Sequence, residues 1–508
     1  MPAKSQSWFR VVTLLVAGLT AGGVAAWERQ DSQPPAHTLN DPTRPIYHLV
    51  SQAKGSHIAD PNFAFYWKGR YHLFYISARW RPGARRNFAH VSSTDMVHWQ
   101  HHPETNFGGL SGTMFLSNEG VPTIIARPGA KITMLTPVDD RLETWKEVAT
   151  VEPTFTAGQD GSRLCEKHWD PDAWVVGDTT YVLMGAHPLD PESQVGLLKT
   201  TDMKTFQFVD YFLEQDLPGV SRTADVTTND DLSCPNFFPL GKKWMLLCIS
   251  HNRGCRYYLG DWKDEKFTPD FHGWMNWHKG EVVSTHGHGG DVFAPETLLT
   301  PDGRRVMWAW LFAQSKLRVS PNWQEVISLP RELSLPDDGV LRIKPLKELA
   351  QLRERPKSVQ AITVAPGSPV RLQGISGDTM ELMVTIKQGT ASRCGVKVLC
   401  DNNHTGGLDV VVDPGGKRLQ VGDAVAPLEL GDAEDIQLRI FIDRSVIEVF
   451  ANDRQAVVWQ HPYKPGELGV CLFSEGGVME VSEVTSWQMK AASPPLSNAP
   501  GSLTGDEG

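Results

Sequence analysis

Three acidic residues sit beside prolines at matching places in the chain. Asp60 and Asp170 each directly precede a proline, and Glu296 directly follows Pro295. Carboxyl groups gathered in one pocket can supply a nucleophile and a general acid–base pair. Cleaving a glycosidic bond with retention asks for two of them roughly 5–5.5 Å apart, the second carrying a proton. A residue before proline is pushed into extended geometry, so Asp60 and Asp170 are each expected to open a strand. Side chains two apart on a strand share a face, so Asn62, Asp172, Asn236 and Glu296, each just after its proline, are expected to face a common channel. A single Asp-Pro is ordinary turn chemistry. Two at the same phase of a repeat point to chemistry, because a turn has no need of an acid in both copies.

The elements that would position these groups are hairpins. ADPNFAFYWKGRYHLFYIS from Ala59, WDPDAWVVGDTTYVLMGA from Trp169, SCPNFFPLGKKWMLLCIS from Ser233 and APETLLTPDGRRVMWAWL from Ala294 each join two strand-like runs through a glycine-containing turn. LSGTMFLSNEGVPTIIA from Leu110 is a weaker copy, and successive copies lie roughly 50 to 64 residues apart. That period predicts the blades of a five-bladed β-propeller, which brings Asp60, Asp170 and Glu296 together at the central axis.

Bulk properties narrow the partners. The 508-residue chain is long enough for two sizeable domains, and its net charge of −10 argues against nucleic acid or an anionic membrane surface. Seventeen tryptophans favour a carbohydrate ligand, since indoles stack on sugar rings. Lys4, Arg10, the apolar run VVTLLVAGLTAGGVAA and the small residues Val24-Ala25-Ala26 form an export signal over residues 1–26, cleaved near Ala26. A secreted or periplasmic protein is therefore expected, with an uncleaved membrane anchor as the alternative. Seven cysteines leave at least one unpaired; Cys248 with Cys255 or Cys394 with Cys400 are possible pairs, and free buried thiols are equally consistent. His286 and His288 lie in a Gly-rich stretch that reads as a polar loop, and neither a metal nor an organic cofactor is expected.

The hairpin pattern spans residues 46–350. PLKELAQLRERPKSVQ from Pro345 reads as a short linker helix ended before Pro356. Residues 357–490 hold closely spaced strands around Val370, Met380, Leu408 and Leu438, separated by Gly, Asp and Asn turns, which indicates an antiparallel β-sandwich. The tail, residues 491–508, is poor in large apolar residues and is expected to be disordered. The fold class is thus all-β.

These blocks resemble glycoside hydrolase family 32, the invertases, levanases, inulinases and related β-fructosidases. HIADPNFAFYWKGRYHLFY is similar to the family's first block, FAHVSSTDMVHWQHHP to the one after it, and LSGTMF to its Ser-Gly block. WDPDAW, DVFAPETLLTPDGRRVMWAWL and LRIFIDRSVIEVFAND follow in the family order, the last being the most specific. The resemblance implies Asp60 as nucleophile, Asp170 as transition-state stabiliser and Asp291 and Ser111 as substrate contacts, acting on sucrose or a fructan without a cofactor. Asn62, Trp67 and Trp169 are further candidates for the sugar site. Trp174 is another, although Trp67, Trp169 and Trp174 would serve equally well as blade core.

Two departures from the family pattern stand out. Its Glu-Cys-Pro-Asp block is Ser233-Cys234-Pro235-Asn236 here, and a serine hydroxyl is far too weak an acid to protonate a leaving alkoxide. Trp169 replaces an arginine that would grip sugar hydroxyls. Three readings follow: Glu296 supplies the proton, with Asp172 or Asp291 raising its pKa; a loop acid such as Asp225, Asp230 or Glu166 does so; or the protein binds fructan without turnover. An active enzyme is favoured, because the hairpin around Ser233 is otherwise intact, with Glu296 the leading acid and Asp225 behind it. A hydrolase of another furanoside such as arabinan is a further alternative, disfavoured by the C-terminal block.

Overall fold

The computed structural model describes residues 41–51, 56–79, 87–108, 111–126, 131–164, 170–185, 194–213, 220–222, 231–251, 253–277, 292–311, 325–387 and 389–492. The export signal, the histidines of the Gly-rich stretch, Trp169, Asp291, Glu166, Asp225, Asp230 and nearly all of the tail lie outside the described residues.

Up to Pro345 the chain folds into five antiparallel sheets in succession, each a meander in chain order. They open with Ser56–Trp67, Gly112–Leu116, Pro171–Val176, Ser233–Leu240 and Val292–Leu299. Each opening strand is the first half of one of the five hairpins, because alternating apolar residues flank a turn that reverses the chain. The fourth sheet gains the short parallel strand Ser221–Arg222 on its outer edge, and in the fifth Val326–Ile327 pairs with Arg305–Leu311. Buried aromatic and aliphatic side chains fill the spaces between sheets. One such cluster surrounds Phe237 between the third and fourth sheets, and Trp174 packs into it against Phe237 at 4.9 Å and Tyr181 at 5.6 Å.

Three of the opening strands carry a β-bulge at the proline. Pairing slips between Ile58 and Pro61, between Ser233 and Asn236, and between Phe293 and Glu296. Proline has no N–H to give the ladder, so the strand must break register there. In the last two strands the residue before proline turns left-handed, Cys234 at φ 46° and Ala294 at φ 43°. Such bends re-aim the neighbouring side chains.

Beyond Pro345 the expected linker helix is only the 3₁₀ turn Lys347–Leu352, with Leu349 and Leu352 buried. The chain then runs extended through Pro356 in the strand Arg353–Val364, whose register shifts between Glu354 and Lys357. An edge strand tolerates proline at such an irregularity, so Pro356 does not act as the helix stop. Two six-stranded sheets follow and share one apolar core built from Leu382, Ile440 and Val449 on one side and Val396, Val410 and Leu472 on the other.

Residues 46–48 staple the two halves together. Asp443 accepts the backbone N–H groups of Ile46, Tyr47 and His48 at 2.7, 3.0 and 2.9 Å. The buried His48 ring lies between Asp443 at 2.8 Å and Glu448 at 3.1 Å, and Glu448 also holds Arg331 of the fifth sheet at 2.7 Å. Burial alone would lower the His48 pKa, but the bonds to both carboxylates raise it to about 9. The described cysteines are free thiols, including the two pairs considered above; Cys400 and Cys471 bring their sulfurs to 3.2 Å across adjacent strands.

Candidate active site

The residues after the prolines knit the five sheets into a ring. Asn62 of the first sheet accepts the Gly112 N–H of the second at 3.1 Å. The Thr113 hydroxyl of the second bonds to Asp172 of the third. Asp172 accepts the Phe237 N–H of the fourth at 2.6 Å. Asn236 accepts both the N–H and the hydroxyl of Thr297 in the fifth at 2.8 Å each. Glu296 accepts the Ala64 N–H of the first at 3.2 Å, which closes the cycle. All four post-proline residues are buried. Their common facing, expected from the two-residue period, is inward, but their side chains are spent on joints between sheets.

Two of these joints are carboxyl groups held out of water. Burial pushes Asp172 up to about 6, against the N–H bonds of Phe237 and Ala173 and the charge of Arg305. Burial and then Asp172 push Glu296 well above the ordinary range, against the bonds from Ala64 and Asn236. Asp172 thus acts on Glu296 as the sequence suggested. Arg305 answers both charges; it lies on the Phe238 ring at 4.2 Å, and burial lowers it to about 10. Glu296 is 6 % exposed and its two oxygens meet Ala64 and Asn236, so its carboxyl is part of the ring joint.

One residue before the prolines the picture changes. Asp170 accepts the Cys234 N–H at 3.0 Å and its thiol at 3.1 Å. The left-handed bend at Cys234 thereby aims the fourth sheet's backbone at the third sheet's acid. Asp60 is half-buried at the bulge of the first sheet. Its charge acts on Cys234, His251 and Glu325, while that of Asp170 acts on Cys234, His251 and Glu296. These groups, Asp60 and Asp170 among them, therefore share one neighbourhood. Ser111 precedes Gly112, the residue that Asn62 grips, at the same end of the second sheet.

Trp67 is not brought there. It sits at the far end of Ser56–Trp67, beside the Lys68–Gly69 turn and on the Phe65 ring at 6.3 Å. Seven residue steps along the strand separate it from Asp60, about 23 Å at ~3.3 Å each. Its candidacy as a sugar platform is corrected by strand length.

Ser233 is fully buried and donates its hydroxyl to Asp231 at 2.8 Å. Asp231 also accepts the His251 N–H and pairs with its ring, each at 2.7 Å, while the Arg256 guanidinium donates to the Asp231 carbonyl. Burial would raise Asp231, but the bonds and charge of His251 hold it low. Burial would lower His251, but Asp231 and, more weakly, Asp170 and Asp60 raise it. The position that would carry an acid thus anchors an aspartate–histidine pair beside Asp170.

Sequence reasoning missed Glu325. It stands one residue before Val326–Ile327, which pairs with the strand carrying Trp310. Burial raises its carboxyl to about 8, opposed by the Trp310 indole and reinforced by the charge of Asp60. No repeat phase marks this position, and the one structural oddity there, a glutamate at φ 63°, is invisible in sequence.

Family comparison agrees with this geometry. Residues 48–345 match the glycosyl hydrolases family 32 N-terminal domain and residues 348–488 the family 32 C-terminal domain. The chain is 26 % identical over 480 residues to a sucrose-6-phosphate hydrolase of Escherichia coli, covering 88 % of this chain and 94 % of that protein. It is 27 % identical over 495 residues to a raffinose invertase of the same organism, covering 88 % and 95 %. Among solved structures it is similar to fructan 1-exohydrolase IIa from Cichorium intybus, with a TM-score of 0.72, 18 % identity and coverage of 89 % and 98 %. With both family domains matched in order along nearly all of the described chain, the protein belongs to glycosyl hydrolase family 32.

Proposed function

We propose that the chain is a retaining glycosidase that releases terminal β-fructofuranosyl units from sucrose or a fructan, with the five sheets as the blades of a β-propeller and the C-terminal sheets as its β-sandwich. The observation that carries this is that Asp60 and Asp170, at pre-proline positions of the ring, both act on Cys234 and His251. Asp60 attacks the anomeric carbon and the glycosidic C–O bond breaks, leaving a covalent fructosyl-enzyme. Asp170, held by the Cys234 N–H and thiol, offers its other oxygen to sugar hydroxyls as positive charge develops. Water then releases fructose, and the reaction as written consumes no cofactor. Named relatives acting on sucrose phosphate, raffinose and fructan support the substrate class. Export with cleavage near Ala26 would place the enzyme where oligosaccharides arrive from outside.

The test is fructose release from sucrose, inulin and levan by the purified chain beside Asp60→Asn. Loss of at least a thousandfold in the variant, with the fold intact, is the expected result. Equal release by both would remove Asp60 from the chemistry. A second reading, fructan binding without turnover, draws on Ser233, and it would be favoured by tight binding with no release from any of the three.

A further inference from the structure

A retaining cycle needs a second carboxyl group, and the ring assigns the obvious ones elsewhere. Glu296 and Asp172 each accept a backbone N–H across a joint between sheets. Asp170 is bound by Cys234, and Asp231 by Ser233 and His251. The Ser233 hydroxyl is buried and committed.

Glu325 is placed differently. It sits where Val326–Ile327 joins the Trp310 strand, and that short strand packs against Ser56–Trp67, the strand of Asp60. The Trp310 ring meets Phe293 edge-on at 5.8 Å, and Phe293 meets His251 in the same way at 5.6 Å. Trp310, Phe293 and His251 thus form a wall from Glu325 round to the Asp231 pair, and the charge of Asp60 acts at both ends. The backbone at Glu325 is left-handed, at φ 63°. Its environment, low in dielectric and beside a carboxylate, favours the protonated acid in the resting site.

Resting on the fructosidase reading above, we propose that Glu325 is the acid–base partner of Asp60. As Asp60 bonds to the anomeric carbon, the Glu325 proton moves to the leaving glycosidic oxygen. In the second step Glu325 takes a proton from water, the water oxygen bonds to the anomeric carbon, and the Asp60 carboxylate departs. Atoms and charge balance with the sugar and one water alone, and both carboxyl groups return to their starting states.

The experiment uses the full mature chain with Glu325→Gln, Glu325→Gly and His251→Asn. Glycine takes the left-handed backbone without cost, so Glu325→Gly keeps the fold even where Glu325→Gln does not. The expected result is a loss of kcat/KM on sucrose of a hundredfold or more in both Glu325 variants. On an aryl β-fructofuranoside, whose phenolate leaves without a proton, added azide attacks the fructosyl-enzyme without needing a base and should restore turnover in both Glu325 variants and give a fructosyl azide. The alkaline limb of the wild-type profile, set by the acid near pH 8, should vanish in Glu325→Gln. Wild-type rates in a folded Glu325→Gly overturn the proposal, and if His251→Asn is then the inactive variant the proton belongs to the Asp231–His251 pair. A wild-type chain that releases fructose from nothing would instead sink the fructosidase reading.

Discussion

Asp172 offers a direct check on the ring of buried joints. Its carboxyl titrates near 6 in the folded chain against 3.8 for an ordinary aspartate. A carboxyl whose folded pKa is raised contributes full stability below the unfolded value and loses it as pH rises through the folded one. From pH 4 to pH 7 that loss is about 2.4 kcal/mol. Asp172→Asn retains an acceptor for the Phe237 N–H but forfeits one of the bonds from Ala173 and Thr113, about 1 kcal/mol. The variant should therefore be slightly less stable than wild type at pH 4, cross it near pH 4.5, and be about 2 kcal/mol more stable at pH 7. In a chain of this size that is a rise of roughly 2 °C in Tm. The readout is the difference between variant and wild type in urea unfolding at pH 4, 5, 6 and 7, which cancels the buried histidines of the first sheet, lowered by the same burial. A constant deficit at every pH would refute the argument, since Asp172 would then be an ordinary solvated carboxylate.

Other joints make their own predictions. Glu296→Ala should orphan the buried Ala64 N–H and cost about 1–3 kcal/mol in urea unfolding, while Glu296→Gln keeps the acceptor and is at least as stable as wild type at pH 7. His48 carries a pKa near 9, so its contribution is complete below pH 6.5 and lost as pH rises through 9. His48→Ala should cost about 3–5 kcal/mol at pH 6 by leaving Asp443 and Glu448 short of their buried partner. Alkaline unfolding curves from pH 7 to 10 should flatten in that variant.

The sequence carried the ring and half of the site. Matching x-Pro dipeptides placed Asp60 and Asp170 in one neighbourhood, because each precedes the proline in the first strand of its sheet at the same repeat phase. The same period grouped Asn62, Asp172, Asn236 and Glu296 correctly but left their task open, since a channel wall and a joint between sheets share one inward face. Which of them it is depends on the N–H groups of the next sheet, and those are set by bulges. Trp67 was misplaced because strand length separates residues that one motif prints side by side. The extended run through Pro356 was hidden by leucines at helical spacing, of which only one short turn uses the pattern. Glu325 had no signal at all: it lies outside every hairpin, and its left-handed backbone and its nearness to Asp60 exist only after the fifth sheet has docked on the first.

The bond from Ala64 to Glu296 joins residues 232 positions apart. The strand bearing Asp60 emerges first during synthesis, yet its neighbour arrives only after four other sheets have been made. Until then the unfinished circle has a gap at the Asp60 strand, with a backbone N–H awaiting an acceptor and apolar edges awaiting cover. Closure over such a separation is slow on loop entropy alone. A chain cut short before Glu296 would thus lose its nucleophile's setting as well as a sheet. The order of manufacture itself delays catalysis until the polypeptide is nearly whole.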